Sequence, residues 1–173
     1  MSIHVIRKSN IRDLESTLDL FIKVTDLMLE HNVDQWNYDY PNEESIRQDI
    51  ASGNHYIMAE NDIIIGTIVL DSNQDEQYKS VHWNTRNKDV LVIHRLGVLP
   101  QSQGQGIATR LCQFAEEYGR ENGYKTIRLD AYAGNKISNG LYEKVGYQRA
   151  NGYCYFRKKA IPFYCYDKRI MKS

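Results

Sequence analysis

The chain has 173 residues and a mass of 20.2 kDa, which is one domain's worth of sequence, residues 1–173, and enough to bury a core. Hydrophobic residues at 42% and charged residues at 25% exclude a disordered or collagen-like chain. With 22 Lys and Arg against 22 Asp and Glu the formal net charge is zero, which argues against a dedicated nucleic-acid or anionic-membrane binder, since either needs a net positive footprint.

In chain order, a short strand is expected over residues 3–7. Asn10 can cap a helix from Ile11 to about Glu30, with Leu14, Leu18, Phe21, Val24, Leu27 and Met28 as its apolar stripe. Residues 31–41 are aromatic and irregular, and a shorter helix follows Asn42. His55–Glu60 and Ile63–Asp71 read as a hairpin turning at Asn61-Asp62. Residues 72–88 are polar loop, and Val90–Val98 is a β-branched strand. After the turn from Gln101 to Gly106, a helix runs to about Asn122 with Gly123 at its C-terminal cap. Thr126–Tyr132 is a strand, Lys136–Lys144 a helix ending before Gly146, and residues 147–156 and 163–170 two last strands. Hairpins mixed with a strand–helix–strand crossover make an α/β (α+β) domain with a mixed sheet, not a uniformly doubly wound one.

The longest apolar run, Ile63 to Leu70, contains Gly66 and Thr67 and falls far short of the roughly 20 residues that span a bilayer. The opening MSIHVIRKSN holds no apolar leader. Cys112, Cys154 and Cys165 form no C-x-x-C and show no metal-ligand spacing. A reduced, cytoplasmic protein without a metal or a membrane association is the expectation.

Chemistry concentrates between Val90 and Tyr147. Gln101-Ser102-Gln103-Gly104-Gln105-Gly106 opens straight into a helix. Glycines there let backbone N–H groups approach a ligand, and the free N–H groups with the positive end of the helix dipole favour an anion. A P-loop would need Gly-Lys-Ser/Thr, which is absent. A dinucleotide fingerprint would need a third glycine where Thr109 stands, although Asp130 lies near the spacing of a ribose-binding acid. An ordinary tight turn is the plain alternative.

Gln101-x-x-Gly104-x-Gly106 resembles the pyrophosphate loop of the GNAT superfamily of N-acetyltransferases. Val92 to Val98 resembles that family's fourth strand. Asn135-Lys136-Ile137-Ser138-Asn139-Gly140-Leu141-Tyr142-Glu143-Lys144-Val145-Gly146-Tyr147 is similar to its Asn-x-x-Ala-x-x-Leu-Tyr-x-Lys-x-Gly-Phe segment, with Ser138 for Ala and Tyr147 for Phe. The resemblance implies a single GNAT-like domain: a mixed, mostly antiparallel sheet of about seven strands, helices on both faces and splayed central strands. It implies acetyl-CoA as cosubstrate, held by Leu96, Gly97 and Val98, by Gln101, Gln103, Gly104, Gln105, Gly106, Ile107 and Ala108, and by Asn135 and Tyr142. Backbone groups of Leu96 and Val98 would pair with the pantetheine amides, and a backbone N–H near Val98 would polarise the thioester carbonyl. Arg110 and Lys144 are weaker candidates for phosphate contacts, and a solvated face is the favoured reading of both.

Tyr142 matches the family's general acid. Full proton transfer from a phenol near 10 to a thiolate near 8.5 is uphill by about 2 kcal/mol, so a hydrogen bond during departure or a concerted transfer is the sounder role. An alkylammonium acceptor is neutral about once in 2,500 molecules at pH 7, so a base is needed. Val90–Val98 lacks the glutamate many family members carry. His94 is the candidate, sharing a face with Leu96 and Val98 if no bulge intervenes. His82, Asp130, a water chain or a purely structural His94 are the alternatives. The acceptor segments of the family correspond to residues with Trp36, Tyr40 and Trp83, which suit a small-molecule amine, and to Tyr153, Tyr155, Tyr164 and Tyr166. Packing of these rings in the core or at a dimer surface is the alternative. The reading is an N-acetyltransferase using direct transfer in a ternary complex, and the resemblance also allows a homodimer. Rivals are a protein N-terminal or lysine acetyltransferase and a non-catalytic acyl-CoA sensor of the same fold.

Overall fold

The computed structural model describes residues 4–171. The elements run β1 His4–Lys8, α1 Leu14–Glu30, α2 Glu43–Ala51, β2 His55–Glu60, β3 Ile63–Asp71, β4 Val90–Val98, α3 Ile107–Glu121, β5 Thr126–Tyr132, α4 Lys136–Lys144, β6 Gln148–Cys154 and β7 Phe163–Arg169. Hydrogen bonding orders the strands β1-β2-β3-β4-β5-β7-β6 in a seven-stranded sheet. The expected mixed, mostly antiparallel sheet is therefore present. The chain divides into two compact units: the part up to Leu70 with His94–Phe114, and Asp71–Ile93 with the part from Ala115 onward.

In the first unit, β1 pairs antiparallel with β2, and β2 with β3. Asn61 and Asp62 take φ of +50° and +66°, the left-handed pair that lets a two-residue turn follow the twist of its strands. The helix expected from Ile11 begins with one 3₁₀ turn, Ile11–Asp13, and becomes α-helical at Leu14. A reciprocal cap holds that turn. Asn10 Oδ1 accepts from Arg12 N–H at 2.9 Å, and Asp13 carboxylate accepts from Asn10 N–H at 2.9 Å. Asp13 also takes both arms of Arg7 at 2.8 and 2.9 Å, which holds its carboxyl below the usual range. Asn42 caps α2 through Ser45 N–H at 2.9 Å. The core of this unit is Leu14, Leu20, Phe21, Val24, Trp36, Ile46, Ile57 and Ile64. Each large apolar side chain there contributes about 1.5–3 kcal/mol by burial.

One polar residue interrupts this interior. His55 is fully buried, with Nδ1 2.6 Å from Ser9 Oγ and Nε2 hydrogen-bonded to Thr67 Oγ1. Burial pushes it down to about 4; Asp13 opposes that shift and Arg95 adds to it.

In the second unit, β4 pairs parallel with β5 over Val90–Val92 and Thr126–Arg128 alone, although both strands run on. Antiparallel β7 covers the whole of β5 from Thr126 to Tyr132. The expected polar loop, residues 72–88, contains a 3₁₀ turn, Glu76–Ser80. Arg128 of β5 holds that loop from beneath. Its guanidinium is buried and donates to Gln74 Oε1 at 2.8 Å, Asn87 Oδ1 at 2.9 Å and Thr85 O at 3.1 Å, and it stacks 4.4 Å from the Trp83 ring. Residues 147–156, expected as one strand, give β6 over Gln148–Cys154 with a register shift between Arg149 and Tyr153.

Candidate functional site

The chain leaves β4 through a 3₁₀ turn, Pro100–Ser102, closed by Ser102 N–H on Leu99 O at 2.8 Å and Gln103 N–H on Pro100 O at 3.2 Å. Gln103 Nε2 reaches back to Val98 O at 3.2 Å. Gly104 and Gly106 take φ of +79° and +78°, and no atom lies within 4 Å of where a Cβ would sit on either. Their left-handed backbones turn the exposed loop into α3. The first backbone bond into α3 runs from Arg110 N–H to Gly106 O at 3.1 Å, so the amides of Ile107, Ala108 and Thr109 are the orphan donors of the helix. An open loop of two glycines before orphan amides has the chemistry of a phosphate cradle.

Packing below seats that cradle. Ile107 and Leu111 are buried against β3 at Gly66, where a Cβ would lie 3.1 Å from Ile107 Cγ2 and 2.9 Å from Leu111 Cδ1. Only glycine lets α3 lie this close to the strand. Leu99 N–H donates to Ile65 O at 2.8 Å and ties the end of β4 to the same strand.

Leu96, Gly97 and Val98 stand immediately before the cradle, Gly97 buried and its neighbours half-buried. The parity expected for His94 with Leu96 and Val98 is not carried through, because Arg95 takes φ of +46° in mid-strand and interrupts the extended run. His94 is half-buried at the residue before this break. Arg95 escaped the sequence reading. It forks onto Asp49 of α2 at 2.7 and 2.6 Å and donates to Tyr40 Oη at 2.9 Å. These partners lie 46 and 55 residues away in sequence, so no local pattern signals them. Burial lowers the Arg95 guanidinium, but Asp49 and Tyr40 together outweigh it and the net direction is upward. Tyr40 is thus tied to the strand. Trp36 is a core residue at 4% exposure, edge-on to Phe21 at 5.2 Å, so its ring packs the interior and forms no open wall.

In the second unit, Asn135 is the N-cap of α4, with Oδ1 accepting from Ser138 N–H at 3.1 Å. Tyr142 is buried at 7%, its ring 6.0 Å from those of both Tyr147 and Tyr166. Asn139 organises this helix. Its Nδ2 donates to Tyr132 O at 2.9 Å and Asn135 O at 2.8 Å, and its Oδ1 accepts from Tyr166 Oη at 2.8 Å. Trp83 packs on Tyr78 and Arg128 and donates from Nε1 to Tyr78 O at 2.9 Å. Tyr78 in turn donates to Asp130 Oδ2 at 2.6 Å. Burial first, and then Asp130, pushes the Tyr78 phenol well above its usual value, so it remains a proton donor. His82 is exposed, its backbone bridged to Asn151. All three cysteines are buried free thiols, Cys154 Sγ 3.5 Å from Cys165 Sγ, and this contact, then burial, pushes Cys165 upward, away from nucleophilic character.

A glycine-opened helix start directly after a strand defines a phosphate-binding class of loop. Residues 23–147 match the acetyltransferase (GNAT) family, and the chain belongs to that family. It is 25% identical over 154 residues, 85% of each chain, to an uncharacterised N-acetyltransferase, YesJ, of Bacillus subtilis. A putative acetyltransferase of Staphylococcus aureus superposes with a TM-score of 0.76 at 30% identity, covering 96% of this chain and 99% of that one. The PaiA N-acetyltransferase of Thermoplasma acidophilum, solved with coenzyme A, shares the fold with a TM-score of 0.72 at 17% identity, covering 96% and 99%. Among the described residues no helix is long and apolar enough to cross a membrane.

Proposed function

We propose that the protein transfers an acetyl group from acetyl-CoA to a primary amine of a small molecule, by direct transfer in a ternary complex in the cytoplasm. The observation that carries the cofactor is the cradle: left-handed Gly104 and Gly106, open space at both, and the orphan amides of Ile107–Thr109. The short β4–β5 ladder, three residue pairs long, fits strands that leave backbone groups for an extended ligand. The coenzyme A seen in the Thermoplasma relative supports the same choice.

Acetyl-CoA supplies the thioester. Backbone amides from Gln103 to Ala108, led in by Gln101, bind its pyrophosphate, and Leu96 and Val98 orient the pantetheine arm by main-chain hydrogen bonds. Val98 N–H polarises the carbonyl, where a single such donor is worth about 3 kcal/mol of barrier. His94 takes the proton of the acceptor ammonium, directly or through water. Tyr142 Oη hydrogen-bonds the departing sulfur, with Asn135 holding the arm. Tyr40 and Trp83 flank the acceptor. Positioning of the two substrates supplies the rest of the acceleration.

Calorimetric titration with acetyl-CoA, followed by a thiol-release screen over amines, tests this. Tyr142→Phe is expected to lower turnover about 10²-fold while CoA affinity stays unchanged. A folded protein that binds no acyl-CoA refutes the reading, and binding without turnover on any amine identifies a sensor.

A further inference from the structure

Away from the cradle, four cations surround a cavity of about 100 Å³ in the second unit: Arg86 and Lys88 of the loop before β4, Lys125 at the start of β5, and Arg169 at the end of β7. Thr85 and Thr126 complete the polar lining, and none of the lining residues is acidic. Among the described residues none of the four cations is in an ion pair. Several cations elsewhere have acidic partners, as Arg7 has Asp13, Arg95 has Asp49 and Lys168 has Glu116. Four unpaired cations around one cavity are unexpected in a chain of zero net charge, because they repel one another.

The loop that presents them is firmly built. Asp167, fully buried, accepts from Asn84 Nδ2, Thr85 N–H and Thr85 Oγ1, all at 2.8 Å. Arg128 holds Thr85 O and Asn87 Oδ1. Thr85 and Asn87 are therefore anchored, while the alternating Arg86 and Lys88 are exposed. Asp89 takes φ of +52°, and its carbonyl accepts Lys125 N–H at 2.8 Å, which places Lys125 against the same loop. The Asp167 charge is offset by buried Arg128, so Asp89 is the loop carboxylate left to oppose the four.

We infer that this cavity is a second anion site, separate from the cofactor cradle, for a compact oxyanion of two or more negative charges: a phosphoryl group, free or carried on a small molecule. The volume has room for one tetrahedral oxyanion. The guanidinium forks of Arg86 and Arg169 match its oxygens, and Lys88 and Lys125 add point charge.

Calorimetric titration of the whole protein with inorganic phosphate and, separately, phenyl phosphate tests this, with amide chemical-shift mapping by NMR. Phosphate is expected to bind with a Kd below about 1 mM and to shift amides of residues 85–88, 125–126 and 169–171. Arg86→Gln with Arg169→Gln should weaken it about a hundredfold, and Arg86→Lys with Arg169→Lys, which keeps the charge and loses only the forks, should weaken it less. Tighter phenyl phosphate identifies a phosphorylated small molecule as the ligand, and equal affinities identify the free anion. Gly104→Glu, which blocks the cradle, should leave phosphate affinity unchanged. No binding, binding indifferent to the arginine pair, or shifts confined to residues 103–109 overturns the inference. Failure of acetyl-CoA to bind would refute the proposed function and leave this result standing.

Discussion

Mild acidification should destabilise the protein through His55. The side chain is fully buried between Ser9 and Thr67, and burial pushes its pKa down to about 4 from 6.5. The unfolded chain therefore binds a proton that the folded chain rejects between those values. Stability is complete above pH 6.5 and falls as the pH drops towards 4. At about 1.4 kcal/mol per tenfold, the loss between pH 7.5 and pH 5 is about 2 kcal/mol from this one group. For a chain of this size that is a fall in Tm of about 4–8 °C. The Arg7–Asp13 pair does not confuse the result, since a depressed carboxylate loses its contribution only below its ordinary value near 3.9. Urea denaturation at pH 7.5, 6 and 5 measures the effect, with the m-value constant. His55→Gln keeps a donor and an acceptor but cannot charge, and it should remove most of the pH dependence even if it is less stable throughout. Equal slopes in wild type and His55→Gln over this window would refute the assignment.

Gly66→Ala places a methyl 2.9 Å from Leu111 Cδ1 and should cost about 1–3 kcal/mol, while displacing α3 enough to weaken acetyl-CoA binding in calorimetry. Gly97→Ala meets only ordinary contacts of 3.4 Å and longer and should be the milder of the two in stability. Arg95→Met leaves the carboxylate of Asp49 uncompensated and should lose about 3 kcal/mol by urea denaturation, with Arg95→Lys losing less because charge is kept and only the fork is lost. Thiol titration with a chromogenic disulfide should find no reactive cysteine in the folded protein and three on unfolding, because all three are buried.

What was legible in the sequence was local. The Asn61-Asp62 turn, the Asn10 and Asn42 caps and the glycine loop into α3 each declare themselves within a few residues, and the structure realises them as left-handed turns, side-chain caps and an open helix start. The 3₁₀ first turn at Ile11–Asp13 was missed because helical periodicity does not separate 3₁₀ from α over three residues. Trp36 looked like a wall of a pocket because an aromatic in an irregular segment carries no sign of its burial; only Phe21 and its neighbours determine that. Nothing local in the sequence marks Arg128 as fully buried, because Gln74, Thr85 and Asn87 supply its acceptors from a loop that has no periodicity.

Arg95 joins the two levels. A left-handed non-glycine residue inside a strand costs on the order of 1–3 kcal/mol and persists only where its surroundings over-determine it. Here Asp49 supplies a two-armed ion pair and Tyr40 a third hydrogen bond, so the kink is held from α2 and from the segment before it. The residues on either side of the kink are His94 and Leu96, one proposed to take a proton and the other to orient the cofactor by its backbone. A glycine at position 95 would accept the φ with no strain but would not be tied to Asp49 or Tyr40. The choice of arginine exchanges conformational ease for a fixed direction of the strand, which is what the proposed positioning of two substrates would require.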